Sequence, residues 1–156
     1  IKILKKIEGD CLADMSPYAA AMIRIYLRKK VQKICIKKKC FTKTHLVKNF
    51  NILCNNSNIS YFGNFGVGSE YINQIIFYTQ NKIIYLDDRA FAIPPDMNIQ
   101  LKIKYKKKFY FYKIKKDDCI FNYIKDIFIN LKSKKLKIYY EKILFDAKMR
   151  EYFKKS

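Results

Sequence analysis

Acidic residues are scarce in this sequence: 13 Asp and Glu stand against 33 Lys and Arg. Histidine occurs once, glycine four times and proline three times, and every apolar run is short. Each shortage excludes something. A membrane-spanning helix needs about 20 apolar residues, so no membrane span is expected, and no secretory signal pattern opens the chain. A zinc site needs clustered nitrogen or sulfur ligands. Cys11, Cys35, Cys40, Cys54 and Cys119 are scattered without a C-x-x-C, and His45 has no companion. The five are read as reduced structural thiols in a reducing compartment. Asp87 and Asp88 are adjacent on an expected strand and so point to opposite faces, a poor acid–base pair. Asp117 and Asp118 precede an expected helix, where capping accounts for them. Gly66-Val67-Gly68 lacks a following Gly-Lys-Ser/Thr and is followed by strand pattern, so it does not read as a phosphate loop. No catalytic residue, metal site, cofactor or small-molecule substrate emerges, and the expectation is a protein that is not an enzyme.

What is present is positive charge on folded elements. The formal net charge is +20, yet half the residues are apolar and 16% are aromatic, unlike a disordered basic tail. Self-repulsion of this size is tolerable when a polyanion neutralises it. Nucleic acid is the commonest such partner and an anionic membrane surface its main competitor. The basic runs fall mostly at expected hairpin tips and in the tail, where several phosphates can be reached. The candidate RNA-binding residues are Arg28, Lys29, Lys30, Lys37, Lys38, Lys39, Gly66, Gly68, Lys106, Lys107, Lys108, Lys115, Lys116, Lys134, Lys135, Lys137, Lys148, Arg150, Lys154 and Lys155. Tyr105, Tyr110, Tyr112, Tyr139 and Tyr140 could stack on bases, although sheet packing is their default role. Lys, Asn, Ile, Tyr and Phe dominate, as in the coding of an AT-rich genome such as organellar DNA.

The pattern predicts an α+β fold of two similar small units, each an antiparallel sheet packed against a helix. Residues 1–57 form the expected first unit, incomplete at its start, 58–140 the second, and 141–156 a basic C-terminal tail. In the first unit, Ile1 and Ile3 suggest a strand before a turn at Gly9. Ile23–Ile36 alternates as a hairpin with Arg28-Lys29-Lys30 at its tip, and Leu46, Phe50 and Leu53 recur at helical spacing after Thr42 or Thr44. In the second, a short strand at 59–65 leads into the glycine loop. Tyr71–Leu86 folds as a hairpin turning at Gln80-Asn81, and Met97–Lys113 as another turning at Lys106-Lys107-Lys108. A helix capped by Asp117 or Asp118 is expected to bury Ile120, Ile124, Ile127 and Leu131, and Leu136–Tyr140 is expected as a last strand. The tail has too few apolar residues to fold alone and is expected to order on its partner.

This order of elements resembles the L-six family of large-subunit ribosomal proteins. Leu46-Val47-Lys48-Asn49-Phe50 looks like its helix before the domain junction, and Phe65-Gly66-Val67-Gly68 is similar to its Gly-Val-Gly loop. Ile93-Pro94 and Lys134-Lys135-Leu136-Lys137-Ile138 resemble later family segments, and Lys6-Ile7-Glu8-Gly9-Asp10-Cys11-Leu12 an earlier one. Ser69-Glu70 stand where the family has Tyr-Arg. Asn51-Ile52-Leu53 with Ile59 and Phe62 is also similar to the S-eight small-subunit family. The resemblance implies a structural constituent of an organellar ribosome. Ribosomal RNA and neighbouring ribosomal proteins would be its partners, in the mitochondrion or, as the alternative, a plastid-type organelle. A basic accessory subunit of an organellar membrane complex is the competing expectation.

Overall fold

The computed structural model describes residues 9–27, 31–40, 45–68, 70–87, 89–91, 93–132 and 136–156. It is an α+β fold with helices α1 (Cys11–Met22), α2 (Cys119–Lys132) and α3 (Lys137–Lys155). Strands β1 (Lys33–Cys40), β2 (Val47–Asn55) and β3 (Ser60–Gly66) form one antiparallel sheet. Strands β4 (Ile75–Tyr78), β5 (Lys82–Leu86), β6 (Ile99–Tyr105) and β7 (Lys108–Ile114) form a second, in that order. Two compact units result: Ile1–Ser69 with Lys137–Ser156, and Glu70–Leu136. The sequence reading placed its units at 1–57 and 58–140 with a separate tail.

In the first unit, α1 starts where the Asp10 carboxylate accepts from the Leu12 and Ala13 amides at 3.0 and 3.4 Å. This is an N-cap that satisfies two of the helix's orphan donors. Pro17 lies inside the helix, where it removes the hydrogen bond that residue 17 would give to the Ala13 carbonyl. Both residues face solvent. A five-residue π-helical segment, Ile23–Leu27, continues α1 and buries Ile23 and Leu27. The fully buried Ala19 and Ala20 let α1 approach β2 and α3 closely.

The sheet beneath alternates with period two. Phe50, Ile52 and Cys54 of β2 are buried, and Phe65 stacks on Phe50 with ring centroids 4.9 Å apart. On β3, Tyr61 and Phe65 lean over Gly63, so a Cβ at position 63 would lie 2.5 Å from the Tyr61 hydroxyl and 2.8 Å from the Phe65 ring. The helix α3 adds Phe153, completely buried, with Phe145 and Met149 packed beside it. Arg24 and Asp146 join α3 to the π segment through a 2.9 Å ion pair, and the Arg150 guanidinium donates to the buried Ser16 hydroxyl at 3.3 Å.

Several expectations are corrected here. Residues 11–27 are helical rather than a turn and the first arm of a hairpin. Val47–Asn55 is a strand, not a helix: Phe50 and Leu53 fit a helical spacing, but only Phe50, Ile52 and Cys54 share the buried side, while Leu53 is exposed. His45 precedes that strand with φ of 58° rather than sitting on a helix. The region 137–140 is the start of α3 rather than a strand, and the tail packs within the first unit through Phe153. The tip Arg28-Lys29-Lys30 and the caps Thr42 and Thr44 lie outside the described residues, as do Ile1 and Ile3.

The second unit follows the sequence closely. Thr79 and Lys82 close the turn at Gln80-Asn81. Lys106 and Lys107 both take positive φ, 46° and 66°, as a two-residue hairpin loop requires. Tyr105 therefore pairs with Lys108. The Asp118 carboxylate caps α2 by accepting from the Phe121 amide at 2.9 Å. The helix does not bury its stripe as expected. Ile120, Ile124 and Leu131 are 68%, 47% and 47% exposed. Helical spacing reveals a face suited to being covered, not what covers it.

Phe153→Ala should destabilise the protein by about 3–5 kcal/mol through the cavity it leaves, and Gly63→Ala should also lower the melting temperature. Thermal denaturation checks both. An unchanged midpoint for Phe153→Ala would show that α3 does not complete this core.

Candidate active site

The buried side of α1 leaves a solvent-facing stripe of Ala13, Asp14, Pro17 and Tyr18. Asp14 and Tyr18 are four residues apart, so a carboxylate and a phenol stand one turn apart on the same face, with Cβ atoms on the order of 6 Å apart. Tyr18 is 36% exposed. At the helix start, a Cβ on Gly9 would reach van der Waals distance, 3.6 Å, from the Asp14 carboxylate. The opposite side of α1 is fixed by the apolar core and by the Ser16–Arg150 bond, so the stripe is carried on a rigid element.

Beneath the stripe, burial first and then the charges of Asp10 and Asp14 push the Cys11 thiol up to about 11. Burial alone does the same to Cys54, also to about 11. Both are inert, protonated core groups rather than nucleophiles. Tyr61 is held well above the ordinary phenol range, chiefly by burial, and belongs to the core as well. Among the described residues no cluster of His, Cys, Asp and Glu could hold a metal ion.

The described candidates chosen for basicity lie on several separate elements. Lys37 and Lys39 project from β1 on the side away from the helices, while Lys38 points the other way and donates to the Lys154 carbonyl at 3.0 Å. Gly66 ends β3 opposite Asn49, and Gly68 takes a φ of 79° with open space around it. Lys106, Lys107 and Lys108 mark a hairpin tip of the second unit, and Lys115 and Lys116 are exposed between β7 and α2. Lys137, Lys148, Arg150, Lys154 and Lys155 belong to α3 in the first unit. Arg150 is occupied by Ser16, and Lys155 pairs with Glu151 at 2.6 Å. Arg28, Lys29, Lys30, Lys134 and Lys135 fall outside the described residues.

The sequence pattern hides Asp14 and Tyr18, because residues 1–16 read as strand and turn and 17–22 give no element. The available signal was Gly9-Asp10 ahead of an alanine-rich stretch, with an acid and a tyrosine at i and i+4.

No known protein family matches the sequence, and no curated protein does. Solved structures do match the fold. KijD10 from Actinomadura kijaniata, a 3-ketoreductase in complex with TDP-benzene and NADP, superposes with a TM-score of 0.83 at 16% identity over 94% of this chain. Its complex with NADP gives 0.84 at 15% identity over 95%. The chain spans about half the length of these proteins, 47% and 48%. Other solved variants of KijD10 replace a lysine by alanine or glutamate, and a tyrosine by phenylalanine.

The shared fold overturns the ribosomal reading. The L-six resemblance rested on element order and the S-eight one on Asn51-Ile52-Leu53 as a helix; in the first unit a helix stands where a hairpin was expected, and Val47–Asn55 is a strand. The fold that does match is shared with about half of KijD10, a 3-ketoreductase. The assignments as a ribosomal or membrane-complex component, as an RNA binder, as a non-enzyme and as a protein without a small-molecule substrate are withdrawn with it. No helix among the described residues is long and apolar enough to cross a membrane.

Alkylation of the folded chain should modify Cys35, Cys40 and Cys119, which are exposed, well before Cys11 and Cys54, which are buried. The raised thiols bind protons more tightly when folded, so their contribution to stability is complete below about 9 and is lost as pH rises toward about 11. Mass-spectrometric labelling and denaturation against pH check this. Early labelling of Cys11 would contradict the packing of α1.

Proposed function

We propose that this chain is the substrate-side portion of an oxidoreductase that reduces a carbonyl group on a nucleotide-linked sugar. The observation that carries the reading is the Asp14–Tyr18 stripe, presented on a rigid helix of a fold shared with a 3-ketoreductase solved in complex with NADP. The described residues do not fit the dinucleotide itself. A dinucleotide site of the usual kind needs a parallel strand, a Gly-x-Gly-x-x-Gly turn and the N-terminus of a following helix. Both sheets here are antiparallel, and Gly66-Val67-Gly68 leads from β3 toward β4, another strand. The chemistry open to this chain lies on the substrate.

Reduction of a ketone adds a hydride to carbon and a proton to oxygen. Tyr18 supplies the proton: its O–H bond breaks as an O–H bond forms on the former carbonyl oxygen, leaving a phenolate that solvent reprotonates. A phenol hydroxyl within reach of the carbonyl oxygen can deliver its proton in the transition state. A positioned general acid is worth about 10²–10⁴ in rate.

In the complete protein, supplied with NADPH and a nucleotide-linked ketosugar, Tyr18→Phe should lower kcat by about 10²-fold or more with little change in KM. Steady-state kinetics measures this. Wild-type turnover from Tyr18→Phe would remove Tyr18 as the acid.

A further inference from the structure

Arginine is rare here: four positions, Arg24, Arg28, Arg89 and Arg150, against a large excess of lysine. A chain that otherwise uses lysine keeps arginine where the planar guanidinium fork matters. Arg24 binds Asp146 and Arg150 binds Ser16. Among the described residues, no hydrogen bond or ion pair engages the guanidinium of Arg89, which is exposed and sits over the Tyr71 ring, 5.7 Å from its centroid.

The backbone that presents Arg89 is strained and clamped. Arg89 has a φ of 57°, a conformation glycine or asparagine would adopt more easily. It is held there by Asn73. The Asn73 side chain accepts from the Phe91 amide at 3.0 Å and donates to the Phe91 carbonyl at 3.1 Å, pairing with both peptide groups of one residue. The same amide donates to the Tyr71 hydroxyl at 2.9 Å, and the Asn73 carbonyl accepts from the Ala90 amide at 3.1 Å. One asparagine therefore fixes both the loop that carries the guanidinium and the ring beneath it. Pro94 stiffens the loop's far side, its carbonyl accepting from the Met97 amide at 3.1 Å. Strain retained at a non-glycine residue and over-determined by its surroundings marks sites where geometry serves a ligand. Preorganisation lowers the ordering cost of binding.

We infer that the Tyr71–Asn73–Arg89 clamp is a diphosphate-binding site, which takes the diphosphate of a nucleoside diphosphate. The five donors of a guanidinium match the paired oxygens of phosphates through parallel charge-assisted hydrogen bonds, and stacking on Tyr71 fixes the plane of the fork. The choice of ligand rests on the ketoreductase reading; the clamp itself does not.

The test is calorimetric titration of the full chain at fixed physiological salt with dTDP, inorganic pyrophosphate and NADP⁺. The wild type should bind dTDP. Arg89→Lys keeps the charge and loses the fork, and should weaken dTDP binding by about tenfold or more. Asn73→Ala should weaken it similarly, while Lys107→Ala at the hairpin tip should change nothing. Circular dichroism confirms folding, and Arg89→Lys carries the test if Asn73→Ala does not fold. The inference is overturned if the wild type fails to bind dTDP, if Arg89→Lys binds it as the wild type does, or if Lys107→Ala loses as much as Arg89→Lys. Tighter, Arg89-dependent binding of NADP⁺ than of dTDP would overturn the substrate as the source of the diphosphate. Arg89-dependent dTDP binding in a protein without ketoreductase turnover would support the site and sink only the function proposed above.

Discussion

Phe153, near the end of the chain, is sealed completely inside the cluster built by α1, its π-helical continuation and β2. That contact makes the C-terminal helix part of the first unit and holds the back of α1 in place. Around it, the Arg24–Asp146 pair and the Arg150–Ser16 bond add direction to an otherwise non-directional apolar seal. Both are only partly buried, so they set geometry more than they add stability. The exposed stripe with Asp14 and Tyr18 follows from the same packing. A helix held this firmly on one side offers fixed chemistry on the other.

The two units differ in how far local pattern determines structure. In the second, alternation is clean from Ile99 to Tyr105, and Lys106-Lys107 form the tight loop that strand twist demands, so hairpins and registers were legible from the residues. In the first, two patterns misled. Val47–Asn55 carries apolar residues at both helical and strand spacings, and packing against α1 decides for the strand. Residues 11–27 carry the apolar Ala13, Pro17 and Ile25 on their exposed side, which blurs the amphipathic period that would have marked a helix. The Asp10 cap and the alanines were the surviving local signals.

The candidate site was hidden for the same reason, since the pairing of Asp14 with Tyr18 exists only once the helix is drawn. Lysines occupy the open side of β1, a hairpin tip and the outside of α3. Arginine was the more informative residue because it is scarce. Three of its four positions are described, and each is held by a specific contact: an aspartate, a serine and a tyrosine ring. What periodicity could not supply was the Asn73 clamp, which joins residues 18 positions apart through a side chain that mimics a strand partner.

The central claim is that this chain contributes the substrate side of a carbonyl reduction. Its most direct test is NADPH consumption by the complete protein in the presence and absence of a nucleotide-linked 3-ketosugar, with the sugar product followed by NMR. The account predicts consumption only when the ketosugar is present, with one new carbinol proton for each NADPH oxidised. A folded protein that leaves both NADPH and ketosugar unchanged would contradict it.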